Sequence, residues 1–186
     1  MATLTETPLL ACTEDLVAPL SMYACQQVQV ALTFPPHAYR PSRGHIDGIT
    51  PPEPDGRPGT FTTLVGVVLS NQTRDDTGNL VVWPGTHRLI AQYLRTHGAE
   101  TMLDWIDGPP VEHGQPVQIH AAPGDVILAH YLLSHAVGGN VSPAVRKSLY
   151  FRLKVVGHDE HWRDIVTDPT LEFPALRSRL ASDRHG

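Results

Sequence analysis

The sequence predicts a mainly β fold, a barrel or double-sheet jelly roll with a few flanking helices. Three observations support it. Seventeen prolines and fifteen glycines punctuate the 186 residues. Prolines at that density interrupt helical periodicity, because each removes a main-chain donor and clashes with the preceding turn. Short apolar runs recur between turn signals, as in closed or stacked β architectures. Hydrophobic residues make up 41% and charged residues 18%, enough apolar material for one core and too little charge for a disordered chain. The length fits a single domain.

Thr13-Glu14-Asp15 reads as a helix start, and residues 13–33 are expected as an N-terminal helical segment ended by Pro35-Pro36. PPEPDGRPG at 51–59 holds four prolines and two glycines, and is expected as a loop and possible flap. Thr60 to Gln72 is β-rich and reads as a buried strand. Asp75 to Asn79 is a turn, Leu80 to Trp83 a short strand stopped by Pro84-Gly85, and Leu89 to His97 a short surface helix. Val117 to His120 and Val126 to His130 are strands flanking the Pro123-Gly124-Asp125 turn. Gly138-Gly139-Asn140 turns the chain into a long strand over Val145 to Val156. From about Asp159 the pattern is weakly helical.

Net charge is −5 with histidine neutral, and no Lys/Arg run occurs. A nucleic-acid-binding module normally shows a basic stripe, so that class is not expected. The longest apolar runs are too short to span a bilayer. MATLTETPLL lacks a cationic region followed by an apolar block, so no signal peptide is expected. Cys12 and Cys25 fit neither a disulfide framework nor a zinc knuckle. Two reduced thiols suit a cytoplasmic protein, a monomer or homodimer.

Eleven histidines raise the question of a metal site. His45-Ile46-Asp47 places an imidazole and a carboxylate on the same side of an extended backbone. A third ligand must come from a facing strand, and His135, between an apolar strand and the Gly-Gly-Asn turn, is the first choice; His130 is the alternative. Arg146 follows His135 by eleven residues, on the returning strand, and Ser148 faces the same way as Arg146. A guanidinium inside a barrel must be paired, so Arg146 and Ser148 read as a clamp for a carboxylate. Two histidines and one carboxylate form the facial triad of non-haem Fe(II) oxygenases, whose open positions admit a keto acid and then O2.

The pieces GHIDG at 44–48, TGNLVVWPGTH at 77–87, PGDVILAH at 123–130, SHAVGGN at 134–140 and VRKSLYF at 145–151 resemble the phytanoyl-CoA dioxygenase (PhyH)-like branch of the Fe(II)/2-oxoglutarate oxygenases. The resemblance covers about residues 40–155. It implies a double-stranded β-helix core, iron ligands at His45, Asp47 and His135, and 2-oxoglutarate binding by Arg146. The implied activity is oxidation of a C–H bond in a small molecule, such as one of secondary metabolism, with release of succinate and CO2. A small residue in place of Asp47 would open a site for chloride, so its presence favours hydroxylation over halogenation. Desaturation and cyclisation use the same residues. Alternatives are a cupin-like metal enzyme that does not use 2-oxoglutarate and a non-catalytic jelly-roll binding protein. Only 44 residues precede His45, fewer than in related enzymes, which predicts a small or partner-borne substrate or a mouth completed by a second subunit.

Tyr39, Arg43, Asn71 and Trp83 are the candidate substrate contacts, with surface charge, turn bonding and packing as their ordinary roles. His87 is expected to be structural, and His158 to His161 to begin a solvated helix.

Overall fold

The computed structural model describes residues 2–49 and 51–182. Its strands are β1 (Gln27–Thr33), β2 (Thr63–Val68), β3 (Leu80–Val82), β4 (Val117–Gln118), β5 (Val126–His130), β6 (His135–Val137) and β7 (Arg146–Leu153). They form two antiparallel sheets, one in the order β1-β7-β2-β5 and the other β4-β3-β6. This is the mainly β jelly-roll architecture that the turn spacing predicts. Helices α1 (Ala2–Thr5), α2 (Leu9–Val17), α3 (Thr86–His97), α4 (Trp162–Thr167) and α5 (Pro174–Ser182) flank the sheets. Among the described residues no helix is long and apolar enough to cross a membrane.

All six residues of β2 are buried, because both faces of the strand are covered. Val65 and Val67 pack with Phe151, Leu153 and Leu4 on the outer face. Leu64 joins Ile46, Phe61, Leu132 and Tyr150 in the main core. Each such apolar side chain contributes about 1.5–3 kcal/mol on full burial. On β7 the period-two alternation sends Phe151 and Leu153 outward and leaves Arg146, Ser148, Tyr150 and Arg152 on the other face.

The N-terminal helix is shorter than the expected span over 13–33. It runs from Leu9 to Val17 and stops before Pro19, and 27–33 is strand β1. Gln27-Val28-Gln29-Val30 alternates with period two, and the strand pairs along its whole length with β7, from Gln27 against Arg152 to Thr33 against Arg146. Seven long-range pairings outweigh a local helical tendency.

A second correction concerns the segment at 158–161. His158 is fully buried. Its Nδ1 lies 2.8 Å from Glu172 Oε1, and its Nε2 lies 2.9 Å from Thr60 Oγ1. The chain turns at Gly157, so the imidazole pins the C-terminal segment to the start of β2, and only His161 stands at the helix N-terminus.

Candidate metal centre

His45 and His135 face each other as an isolated antiparallel bridge, each amide donating to the other's carbonyl at 2.9 Å. Directly opposite residues of such a pair put their side chains on one side of the ladder. Their rings are 4.7 Å apart. Asp47, two residues beyond His45, brings its carboxylate to the same side. Oδ1 of Asp47 lies 3.4 Å from His45 Nε2 and 3.7 Å from His135 Nε2. Neither separation is an ordinary hydrogen bond. Three donor atoms, all within 4.8 Å of one another, converge on a common point instead.

The tautomer of His135 follows from its other nitrogen. Nδ1 lies 3.0 Å from the Leu133 carbonyl, which only accepts, so Nδ1 carries the proton and Nε2 presents a lone pair. Asp47 is fixed by Arg152, whose Nη2 is 3.0 Å from Oδ2. Burial works to raise the Asp47 carboxyl, but the imidazoles of His135 and His45 and the charge of Arg152 outweigh it. The group is held well below the usual carboxylate range.

The PGT element supports His135 from behind. Thr86 Oγ1 donates to the Trp83 carbonyl at 2.7 Å and accepts from the Ser134 amide at 3.0 Å. The Trp83 amide in turn donates to the Ser134 carbonyl. Gly44 is required beside this frame, since a Cβ there would stand 2.7 Å from the Trp83 ring and 2.8 Å from the His135 amide nitrogen.

Arg146 is buried at the start of β7. Its Nη2 donates to Tyr150 Oη at 2.7 Å, while Nε and Nη1 are buried with no partner among the described residues. Among the described residues no carboxylate is paired with this guanidinium, and a buried unpaired charge of this kind can accept an anion. Gly78, at φ +83°, lets the turn before β3 approach, because a Cβ there would meet Arg146 Cβ at 2.6 Å. Ser148 is buried and accepts from Gln72 Nε2 at 3.1 Å. Burial raises the Tyr150 phenol. Tyr131 Oη is also buried without a partner; burial and the charge of Asp47 push that phenol up. The two unpartnered nitrogens of Arg146 and the two-nitrogen, one-oxygen donor set fit an iron site with an anionic co-ligand.

A cleft of about 790 Å³ opens beside His45 and Asp47. Phe61 and Trp105 line it, with Gln27, Arg57, Arg152 and Lys154. Loop residues 51–59 form one edge, held by Arg57, which bonds Asp55 at 2.9 Å and Asp159 at 3.0 Å.

None of the four substrate candidates lines this cleft. Trp83 is fully buried behind Gly44 and meets His113 edge-on. Tyr39 stacks on His37. Arg43 donates to the Asp107 carbonyl, and Asn71 accepts from Thr73. For Tyr39 and Arg43, proximity to the metal motif in sequence does not turn the side chain toward the cavity. His130 lies outside the triad, next to His87 and Phe173, and burial pushes its pKa down to about 4. Residues that the sequence reading missed are Arg152 and Tyr150. The alternation that places Ser148 beside Arg146 also selects both.

The phytanoyl-CoA dioxygenase (PhyH) family model matches residues 11–148. No curated protein matches the chain. Among solved structures, the apoform of EctD from S. alaskensis superposes with a TM-score of 0.54 at 23% identity, over 84% of this chain and 53% of that one. HygX from Streptomyces hygroscopicus, solved with nickel and 2-oxoglutarate bound, superposes with a TM-score of 0.52 at 15% identity, over 82% of this chain and 64% of that one. SnoN, a non-haem alpha-ketoglutarate-dependent epimerase from nogalamycin biosynthesis, gives 0.52 at 18% identity, over 82% and 55%. These likenesses show the fold. The chain spans about half the length of EctD.

Proposed function

The chain belongs to the phytanoyl-CoA dioxygenase (PhyH) family, and on that premise we propose that it is an Fe(II)- and 2-oxoglutarate-dependent oxygenase. In this reading it hydroxylates, or otherwise oxidises, a C–H bond of a small organic molecule and releases succinate and CO2. The observation that carries the proposal is the convergence of His45, Asp47 and His135, accompanied by a buried, unpaired Arg146 on the adjoining sheet. Neighbours solved with iron or with nickel and 2-oxoglutarate support it.

His45, Asp47 and His135 would hold the iron, which when bound would supply activation of dioxygen coupled to decarboxylation of 2-oxoglutarate. The chain's own residues do the rest. The proton on His135 Nδ1 fixes its Nε2 as a ligand. Arg152 occupies Asp47 Oδ2 and leaves Oδ1 for the metal. Arg146 offers its unpartnered guanidinium N–H groups to the far carboxylate of the cosubstrate, a charge-assisted contact stronger than a neutral one. Ser148 and Tyr150 complete a polar wall beside it, and burial keeps the Tyr150 phenol protonated as a donor. The aromatic rings of Phe61 and Trp105 give the cleft an apolar wall for the substrate, and the 51–59 loop serves as its flap. Two free cysteines suit the reducing cytoplasm.

The test is succinate release from 2-oxoglutarate with Fe(II), scored across a metabolite panel, with His135→Ala as control. Succinate formation that depends on 2-oxoglutarate and is lost in the variant is the expected result. Substrate turnover that is indifferent to 2-oxoglutarate indicates a cupin-type enzyme and contradicts the proposal.

A further inference from the structure

Every cation that lines the cleft beside His45 and Asp47 is already paired with a carboxylate. Arg152 binds Asp47. Arg57 binds Asp55 and Asp159, and Lys154 shares Asp159 with it at 2.8 Å. Two carboxylates of the same lining, Glu53 and Glu160, have no cation in ion-pair contact among the described residues. Fe(II) and a cosubstrate with two carboxylates add no net charge in the proposed reading, so the excess in the cleft is negative.

Glu53 is half-buried and faces one corner of the cleft. A Cβ on Gly59 would stand 2.8 Å from Glu53 Oε1 and 3.3 Å from the Gly48 carbonyl oxygen. Two acceptor oxygens therefore border the space that the missing side chain of Gly59 leaves. The Gly59 amide donates to the Gly48 carbonyl at 2.6 Å, and a carbonyl oxygen has a second lone pair. The Glu53 amide donates to the Arg57 carbonyl, and the Gly56 amide to the Glu53 carbonyl, so the backbone of the corner is fixed. Gly48 follows Asp47 directly, which sets the corner beside the metal centre. Trp105 lines the cleft as well, and the face of an indole attracts a cation.

We propose that the substrate of this cleft carries a protonated amine, whose N–H groups are received by the Glu53 carboxylate and the Gly48 carbonyl. An ammonium supplies donors and positive charge, and both oxygens only accept. An anionic substrate would meet cations already neutralised and two carboxylates without counter-ions, so charge selects against it. That the cleft holds a substrate rests on the oxygenase reading, but its charge preference is measurable without turnover.

Benzylammonium, benzyl alcohol and benzoate share one ring and differ in charge. Saturation-transfer NMR titrations of the full chain, anaerobic, with and without Fe(II) and 2-oxoglutarate, give their affinities. Benzylammonium should bind about tenfold more tightly than benzyl alcohol, with benzoate weakest. Glu53→Gln should remove that preference with native circular dichroism and unchanged Fe(II) affinity. Gly59→Ala should remove it too, since its methyl group occupies the corner. Benzylammonium that binds no better than the other two probes, or not at all, overturns the inference. So does a preference that survives both substitutions. A metabolite panel scored by succinate separates the two readings. Turnover confined to compounds without an amine overturns the amine and leaves the oxygenase reading intact. An ammonium preference with no 2-oxoglutarate-dependent turnover supports the cation site and counts against the oxygenase reading.

Discussion

Arg152 Nη2 lies 3.0 Å from Asp47 Oδ2, while Oδ1 of the same carboxylate faces both imidazoles. One carboxylate therefore has one oxygen assigned to the scaffold and one to the metal point. Arg152 is itself held over the Phe61 ring, with its charge 5.5 Å from the centroid. Partners of this kind orient a ligand and raise its affinity for metal. Arg152→Leu should weaken Fe(II) binding by about 10- to 100-fold while leaving the triad intact. Anaerobic calorimetric titration of the two proteins measures it, and equal affinities would remove Arg152 from the account.

Arg146 has a different role in the proposed reading, in which its buried N–H groups, without partners among the described residues, receive the far carboxylate of the cosubstrate. Arg146→Ala should lower 2-oxoglutarate affinity by about 100-fold, the scale of two charge-assisted hydrogen bonds, with little change in Fe(II) affinity. Parallel titrations of metal and cosubstrate separate the two. Equal losses would mean that Arg146 supports the metal site rather than the cosubstrate.

His130 gives the fold a dependence on pH. Burial lowers its pKa to about 4, and its Nδ1 accepts from the Leu132 amide, a bond that protonation removes. The unfolded chain, with histidine near 6.5, binds the proton more readily than the folded one between these values. This contribution to stability is complete above about pH 6.5 and declines as pH falls toward 4, by roughly 3 kcal/mol in all. His87, lowered by the same cause, acts in the same direction. Urea unfolding at pH 7 and pH 5 should differ by about 2 kcal/mol from this site, and His130→Gln should flatten the difference.

The buried His158–Glu172 contact ties the C-terminal segment to Thr60 at the entry of β2. Removing the imidazole leaves Glu172 buried without its partner. His158→Ala should cost about 3 kcal/mol in chemical denaturation, with Fe(II) affinity unchanged. A loss within about 0.5 kcal/mol, as at an ordinary surface site, would show that the contact is dispensable.

The convergence of His45, Asp47 and His135 was legible because its geometry is local on each strand. His45 and Asp47 share a side by the period of two, and the Gly-Gly-Asn turn after His135 returns the chain so that Arg146 and Ser148 share a face of β7. That rule, carried four residues further, also reaches Tyr150 and Arg152. The long-range arrangement was not legible. Strand β1 pairs with residues more than 110 positions away, and its short alternation looks locally like one side of a helix. His158 carries no local mark of burial, since its partners Thr60 and Glu172 lie on other segments. The cleft is assembled from separate loops around Pro51, Trp105 and Asp159, so Tyr39 and Arg43, chosen for closeness to His45 in sequence, and Asn71 and Trp83, chosen at strand ends, fell outside it.

The account's central claim is that His45, Asp47, His135 and Arg146 form one iron and 2-oxoglutarate site. Anaerobic visible absorbance of the Fe(II)-loaded chain during titration with 2-oxoglutarate tests it most directly. The account predicts a new absorption that saturates at one equivalent, is absent in His135→Ala and needs far more cosubstrate in Arg146→Ala. A spectrum that 2-oxoglutarate leaves unchanged in the iron-loaded native protein would contradict it.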